Sequence, residues 1–186
     1  TRPDTIFGVT FLTLSPEHPL GEDLCRDTEW ESGWRKLRDE CAKLSEFERI
    51  NLLKEKKGVF LGQYAINPLS GDRIPVYAGN FVVAGYGTGA VMAVPGHDQR
   101  DFDFAKAYDL EIRRVLVQKS GDDPNHPLEQ AFTDYGPMVN SASPEYDGLS
   151  GDGAKSAIIA ALESENSGSG TTQYRLRDWL LSRQRF

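Results

Sequence analysis

The chain has 186 residues, of which 39% are hydrophobic and 26% are charged, and its net charge is −7. This composition is typical of a globular domain with a core of its own, and it excludes an intrinsically disordered chain and a basic nucleic-acid coat protein. We find no apolar run long enough to span a membrane and no signal peptide, so we expect a cytoplasmic protein without membrane contact. The two cysteines, Cys25 and Cys41, form no C-x-x-C pair, which disfavours a zinc site and agrees with a reducing compartment.

The predicted elements mix strands and helices without a regular alternation. The first strand is predicted at 6–14, and the charged stretch 27–57 has apolar residues at helical spacing, which indicates one or two amphipathic helices. Further strands are predicted at 59–66, 74–77, 80–84 and 112–118, and further helices at 98–108 and 154–163. This order favours an α+β fold or a partly closed barrel over a doubly wound parallel sheet.

Positive charge is concentrated in the last segment of the chain. Residues 173–186 contain four arginines and one aspartate, a net charge of +3, which leaves −10 on residues 1–172. A Gly/Ser/Thr stretch at 167–172 separates the two regions. We therefore predict one domain at 1–172 and a basic segment at 173–186 that belongs to a different surface.

The most informative stretch is GTGAVMAVPGHDQRDFDF at 87–104. Gly87 and Gly89 lack a Cβ and let the backbone approach a ligand closely, and apolar residues follow them. Asp98 and Asp101 fall in the first turns of a helix, three residues apart and therefore on one face. The pattern predicts a small apolar pocket with carboxylates at its rim, which suits an amino acid with an aliphatic side chain and an ammonium group.

Four segments of the chain resemble leucyl-tRNA synthetases of the bacterial type. They are TRPDT at 1–5, KKGVFLGQYAINPLSGDRIPVYAGN at 56–80, YGTGAVMAVPGHDQRD at 86–101 and YRLRDWLLSRQRF at 174–186. The resemblance implies the inserted editing domain, a small partly closed β-barrel surrounded by helices, with 173–186 returning to the synthetic core. No ATP-binding signature is present, so we expect no cofactor and no aminoacylation by this chain alone.

The resemblance also implies an activity. Editing domains of this family hydrolyse the ester between a wrong amino acid and the 3′ end of tRNA(Leu), removing isoleucine, norvaline or methionine while sparing leucine. Such a second sieve is needed because one methylene contributes only about 1–3 kcal/mol of discrimination in an apolar pocket. The implied partners are the tRNA(Leu) 3′ end, the amino acid ester and the remainder of the synthetase, and we expect a monomer. The implied mechanism uses an oriented water, without a covalent intermediate and without a metal.

Three catalytic residues are implied by position within the family motifs. Asp101 matches the aspartate that holds the α-ammonium of the substrate, Thr5 the threonine that blocks leucine, and Thr1 a threonine that contacts the ester and terminal ribose. Asp98 is expected to orient Asp101 or the substrate amine. The alternatives are a solvated helix-face acid at 101, a strand-entry threonine at 5 and a simple helix-terminal acid at 98.

Further residues are implied to bind substrate. Arg2 could reach a phosphate or ribose, or simply pair with Asp4. Met92 and Val94 match residues that line the amino-acid pocket, although apolar residues at such positions are commonly core.

The remaining candidate residues are those matched to the terminal adenosine and the histidine of the motif. Val83 and Tyr86 match positions where the terminal adenosine rests, with an ordinary strand tyrosine as the alternative at 86. His97 is a tempting general base, but sequence neighbours on a helix do not face each other, and no nucleophile stands beside it.

Three other functions stay open at this point. The first is an editing domain of an isoleucyl or valyl enzyme, with a different pocket. The second is a non-catalytic module that docks the tRNA 3′ end. The third is a metal-dependent hydrolase that uses His97, Asp98 and Asp101.

Overall fold

The computed structural model describes residues 2–51, 55–85 and 87–172. A 3-10 helix at Pro3–Gly8 opens the described chain. The strands are β1 (Phe11–Leu14), β2 (Gly58–Ile66), β3 (Arg73–Gly79) and β4 (Ala90–Ala93). The helices are α1 (Leu20–Cys25), α2 (Glu31–Cys41), α3 (Glu46–Asn51), α4 (Gln99–Ala107) and α5 (Gly151–Ser164).

The four strands form a mixed sheet in the order β2-β3-β1-β4. β1 runs parallel to β3 and antiparallel to β4, with Phe11 opposite Ala93 and Leu14 opposite Ala90, and β2 is antiparallel to β3. In the described residues β2 and β4 are the two edges of this sheet and do not pair with each other. The α+β class predicted from sequence is confirmed, whereas the partly closed barrel is not, because the sheet is open.

Several predicted strands have a different structure. The segment predicted as a strand at 6–14 begins as the 3-10 helix, which Pro3 starts at a position where its missing N–H costs nothing, and only Phe11–Leu14 is extended in the sheet. Residues 80–84 form turns, and 112–118 makes a single bridge, Leu116 to Met138. Both segments contain buried apolar residues, namely Val82, Val83, Val115, Leu116 and Val117, and burial alone does not require strand pairing.

The core consists of three packed clusters. One lies beneath the 3-10 helix and joins Ile6, Phe7 and Val94 to α5. A second packs α1 and α2 against the sheet. The third places Phe104 of α4 on Phe11 of β1, with ring centroids 5.1 Å apart. Through the first and third clusters, the 3-10 helix and α4 pack at the same end of β1 and β4.

Two expectations concern the chain as a whole, namely the absence of a membrane span and the domain boundary after residue 172. Within 2–51, 55–85 and 87–172, no helix has the length and apolarity needed to cross a membrane. Thr1, Tyr86 and the basic segment 173–186 lie outside the described residues. The boundary after residue 172 therefore stays a prediction.

Candidate functional site

Asp98 sets the start of helix α4. Its backbone is extended, and its Oδ1 accepts hydrogen bonds from the backbone N–H of Arg100 at 2.8 Å and of Asp101 at 3.3 Å. This is an N-cap, in which a side-chain oxygen satisfies the free donors of the first turn. The helix therefore begins where the sequence predicted it, and its positive end lies beside both carboxyl groups.

Asp101 is buried, with 6% of its surface exposed. Its Oδ2 accepts a 2.8 Å hydrogen bond from the backbone N–H of Val94. Burial, together with the nearby charge of Asp98, raises the pKa of the Asp101 carboxyl to about 7, although the Val94 hydrogen bond acts in the opposite direction. The alternative of a solvated acid on the helix surface is therefore wrong. A cation placed beside this carboxyl would restore its charge, which is the property that an ammonium site needs.

Thr5 lies in the 3-10 helix and is 1% exposed. Its Oγ1 donates to the backbone oxygen of Arg2 at 2.9 Å, so the side chain is fixed in one orientation. The alternative of a strand-entry threonine is wrong, because Thr5 lies within the 3-10 helix at Pro3–Gly8 and the strand begins only at Phe11.

Val94 connects the element that carries Thr5 with the element that carries Asp101. It packs in one core cluster with Ile6 and Phe7, the two residues that follow Thr5. A methyl group added at Gly8 would lie 3.1 Å from Cγ1 of Val94, which shows how closely the end of the 3-10 helix approaches it. Because Val94 also donates its N–H to Asp101, the structure brings the 3-10 helix, the end of β4 and the start of α4 to one junction.

The two apolar residues predicted to line the amino-acid pocket differ in burial. Val94 is 5% exposed and belongs to the core. Met92, on β4 opposite Leu12, is partly buried and packs against the same cluster. Met92 therefore keeps surface that a ligand could contact, while Val94 acts mainly through its backbone N–H.

Arg2 makes the pairing that the sequence suggested as its alternative role. Its guanidinium forms a 2.9 Å ion pair with Asp4, which is 1% exposed, and donates to the backbone oxygen of Thr133 at 3.2 Å. The guanidinium also lies 4.2 Å from the centroid of the Tyr135 ring. A phosphate contact by Arg2 would have to compete with these partners.

Val83 lies at the other end of the β1–β4 pair. The N–H of Ser15, which follows β1, donates to the oxygen of Gly89, which precedes β4, at 2.8 Å. A Cβ added at Gly89 would lie 3.5 Å from the Cα of Ala84, next to Val83, which is 8% exposed. The predicted adenosine position and Asp101 therefore lie towards opposite ends of β4, because Gly89 precedes this strand and Val94 follows it.

His97 is a structural residue in this fold. It is 7% exposed, its Nε2 accepts from the backbone N–H of Val115 at 3.0 Å and of Leu116 at 3.1 Å, and its Nδ1 lies 2.8 Å from the oxygen of Phe132. These partners assign the ring proton to Nδ1, and burial lowers the pKa of the imidazole to about 4. Both ring nitrogens are occupied, so His97 does not fit a general base or a metal ligand.

The metal-dependent hydrolase that the sequence left open requires His97 as a ligand, and His97 does not fit that role. No group of three His, Cys, Asp or Glu side chains among the described residues could hold a metal ion. The Asp98 carboxylate instead accepts from N–H groups of the first turn of α4, and the Asp101 carboxyl accepts from the N–H of Val94, which follows β4.

Sequence reasoning missed Arg113, which holds the end of the 3-10 helix. Its Nη1 donates to the oxygen of Phe7 at 3.3 Å and pairs with Asp72 at 2.7 Å. Since Asp72 lies 41 residues away along the chain, no local pattern could have indicated this pair.

Two cavities in the described residues lie apart from this junction. One, of about 380 Å³, is lined by Glu55, Lys56, Asp103, Ala107 and Tyr108, and the other, of about 140 Å³, by Leu37, Glu40, Cys41, Leu44, Glu55, Lys57 and Asn80. None of the predicted site residues lines either cavity. The buried Asp101 carboxyl and its neighbours therefore define the candidate site. Cavity size does not, because it reflects shape and carries no information on charge or hydrogen bonding.

Comparison with known proteins agrees with the motifs. A family model described as "Leucyl-tRNA synthetase, editing domain" matches residues 1–163. Over its whole length the chain is 47% identical to the leucine–tRNA ligase of Oleidesulfovibrio alaskensis and 45% identical to that of Clostridium perfringens, and it spans 22% of the length of each.

A solved structure is also similar. It is the ternary complex of an Agrobacterium radiobacter leucyl-tRNA synthetase with tRNA and LeuAMS, with a TM-score of 0.66, 31% identity, and coverage of 96% of this chain and 18% of that one. These matches are to leucyl enzymes and not to isoleucyl or valyl ones, which decides between the family alternatives considered above. The chain belongs to the leucyl-tRNA synthetase editing-domain family.

Proposed function

We propose that this chain hydrolyses tRNA(Leu) mischarged with isoleucine, norvaline or methionine and spares leucyl-tRNA(Leu). The observation that carries the proposal is the buried Asp101 carboxyl, bonded to the N–H of Val94 at the junction with the helix that contains Thr5. A carboxyl that is costly to ionise when empty is matched to a ligand that brings its own positive charge.

In the proposed reaction, Asp101 binds the α-ammonium of the esterified amino acid and fixes the ester carbonyl in place. A water oxygen attacks the carbonyl carbon, the bond to the ribose oxygen breaks, and the ribose oxygen takes up a proton. The products are a free amino acid and a deacylated tRNA. Orientation of the ester and the water supplies most of the rate, with Thr1 assigned to the ester and terminal ribose by family position.

Specificity is assigned to Thr5. Its hydroxyl donates to the backbone oxygen of Arg2, which favours one orientation of the side chain towards an incoming group. We propose that it collides with the branched γ-carbon of leucine, while unbranched or differently branched side chains pass. The barrier is steric and acts against the cognate residue, as a second sieve requires.

The remaining substrate contacts follow the family positions. Val83 and Tyr86 are assigned to the terminal adenosine, Arg2 to a phosphate or the ribose, Met92 and Val94 to the amino-acid side chain, and Asp98 to the orientation of Asp101. The full activity belongs to a longer synthetase, with this chain as its editing part. We propose that the chain acts as a monomer in the cytoplasm, without a metal or cofactor.

The first test is Asp101→Ala. Hydrolysis of isoleucyl-tRNA(Leu) by the chain is expected to fall at least about 100-fold, since the ammonium loses its partner and the ester its orientation. Asp103→Ala, an exposed aspartate on the same helix, is the matched control and should retain activity. Activity retained by Asp101→Ala removes that residue from the mechanism, and binding without turnover by the unmodified chain leaves the non-catalytic docking module.

The second test is Thr5→Ala. This variant should hydrolyse correctly charged leucyl-tRNA(Leu), which the unmodified chain leaves intact. Thr13→Ala, a buried threonine on β1, controls for loss of a buried hydroxyl and methyl group and should still spare leucine. Continued protection of leucine by Thr5→Ala contradicts the assignment.

A further inference from the structure

A buried arginine holds the loop that follows β3. Arg49 extends from α3, with 5% of its side chain exposed. Its Nε donates to the backbone oxygen of Asn80 at 3.2 Å, and its Nη2 to that of Val82 at 2.5 Å. Its Nη1 forms a 2.6 Å ion pair with Glu17. One guanidinium thus joins α3, the segment after β1 and two carbonyls of a loop without strand pairing.

Stabilisation of the fold does not by itself explain the ion pair between Arg49 and Glu17. Removing a guanidinium from water is expensive, and a buried pair commonly contributes no more than apolar packing would. The second carboxylate oxygen of Glu17, Oε2, is also buried and has no hydrogen-bond partner in the described part of the chain. This costly arrangement fixes the geometry of the carbonyls of residues 80 and 82.

The same loop is fixed from its other side. Oδ1 of Asn80 accepts from the N–H of Lys57 at 3.0 Å, and its Nδ2 donates to the oxygen of Glu55 at 3.1 Å. With both sides held, the backbone that leads to Val83 has little freedom.

Val83 comes directly after the carbonyl that Arg49 holds. Family position assigns Val83 to the terminal adenosine, towards the opposite end of β4 from Asp101. A residue that holds the loop at 80–82, as Arg49 does, therefore affects the nucleoside end of the site without contacting the ammonium end.

We propose that Arg49, paired with Glu17, is a positioning residue for recognition of the terminal adenosine, so that it governs substrate binding and leaves the chemical step unchanged. This inference rests on the proposed function. Lysine cannot replace arginine here, since a single ammonium has no planar fork to reach three acceptors on two other segments.

The test compares two small substrates. One is an RNA minihelix ending in CCA and charged with norvaline, and the other is identical except that its terminal ribose carries no base. For Arg49→Lys we expect KM for the CCA minihelix to rise about tenfold with kcat changed less than about twofold. On the abasic minihelix, the variant and the unmodified chain should have equal KM values.

Two control variants accompany Arg49→Lys. Arg35→Lys alters an arginine that pairs with Glu22 and Glu31 on the helical layer, and it should leave both KM values unchanged. Leu61→Ala, on β2, lowers the free energy of unfolding without touching the loop, and it should not raise KM selectively for the base-containing substrate.

The outcomes separate the two proposals. If the unmodified chain hydrolyses neither minihelix, the proposed function fails. If it is active and Arg49→Lys raises KM equally on both substrates, or on neither, the positioning role is overturned. If Arg49→Lys does not fold, Glu17→Gln decides, because it leaves the guanidinium unpaired in place. A base-dependent rise in KM supports the role, and an unchanged KM refutes it.

Discussion

Asp101 has an energetic cost in the fold, and the proposed function gives that cost a use. Its carboxyl is buried, accepts one backbone hydrogen bond and has a pKa near 7. An ionised carboxylate in such a place opposes folding, and proteins tolerate such groups mainly at functional sites. The side chain that the motif singled out is therefore also the one whose environment is most unfavourable to an empty, charged state.

This cost predicts a pH dependence of stability. In the unfolded chain the pKa of aspartate is about 3.9, so between pH 4 and 7 the folded state binds more protons at Asp101 than the unfolded state. Below pH 4 the Asp101 carboxyl is protonated in both states and does not lower the free energy of unfolding. As the pH rises through 7, this free energy falls by about 4 kcal/mol. Asp101→Asn keeps an acceptor for Val94 but cannot ionise.

We expect Asp101→Asn to be more stable than the unmodified chain at pH 8 and equal to it near pH 4. Urea denaturation at the two pH values measures the difference. Asp103→Asn, whose side chain is exposed, should change stability little at either pH. Equal stability of Asp101→Asn and the unmodified chain at pH 8 would show that the carboxyl is not strained.

Single residues also show where sequence reasoning ends. Asp101 and Thr5 are candidates because they stand in long motifs, whereas Asp98, placed by sequence in the first turn of the helix, is seen to cap it only in the structure. The roles of His97 and Arg49 depend on backbone groups 18 to 35 residues away and 31 to 33 residues away, respectively. No local pattern encodes such partners, so only the fold reveals them.

Among the elements, helices were predicted better than strands. α4 and α5 have local signals, namely a capping residue or a periodic apolar face. The strands predicted at 80–84 and 112–118 are wrong, because the buried apolar residues of these segments pack against other segments without pairing in the four-stranded sheet. The open sheet is likewise a result of long-range pairing, which composition cannot determine.

The start of α4 couples helix stability to the charge of the site. Asp98 caps the helix, and its charge contributes to the raised pKa of Asp101. Asp98→Asn should keep the cap while lowering the pKa of Asp101, so that the rise of deacylation activity with pH moves to lower pH. Asp98→Ala should move the profile in the same direction and also lower the free energy of unfolding by about 1 kcal/mol.

Two measurements check this pair, a pH–rate profile for isoleucyl-tRNA(Leu) and urea denaturation. Asp103→Asn, on the same helix but not capping it, controls for a change in net charge. Identical pH profiles for Asp98→Asn and the unmodified chain would contradict electrostatic coupling between the two carboxyl groups.

At the scale of the whole molecule, the division of the chain after residue 172 stays a prediction, and it rests on charge. The core clusters extend to Ile158, with Leu162 packed against them, and the family model ends at residue 163. Residues 1–172 carry −10, while 173–186 carry +3. The basic part contains the charge suited to RNA phosphates.

Removing residues 173–186 should therefore separate folding from RNA binding. We expect the truncated chain to keep its melting temperature within about 2 °C, since the family model matches residues 1–163 and ends before the removed segment. Deacylation at saturating minihelix should be unchanged, whereas KM should rise, and its dependence on salt should become shallower because fewer phosphates are neutralised. A variant with Arg175, Arg177, Arg183 and Arg185 changed to glutamine is the matched control, and it should reproduce the change in KM. A large fall in melting temperature on truncation would move the domain boundary beyond residue 172, whereas a fall in KM would show that the basic segment opposes substrate binding.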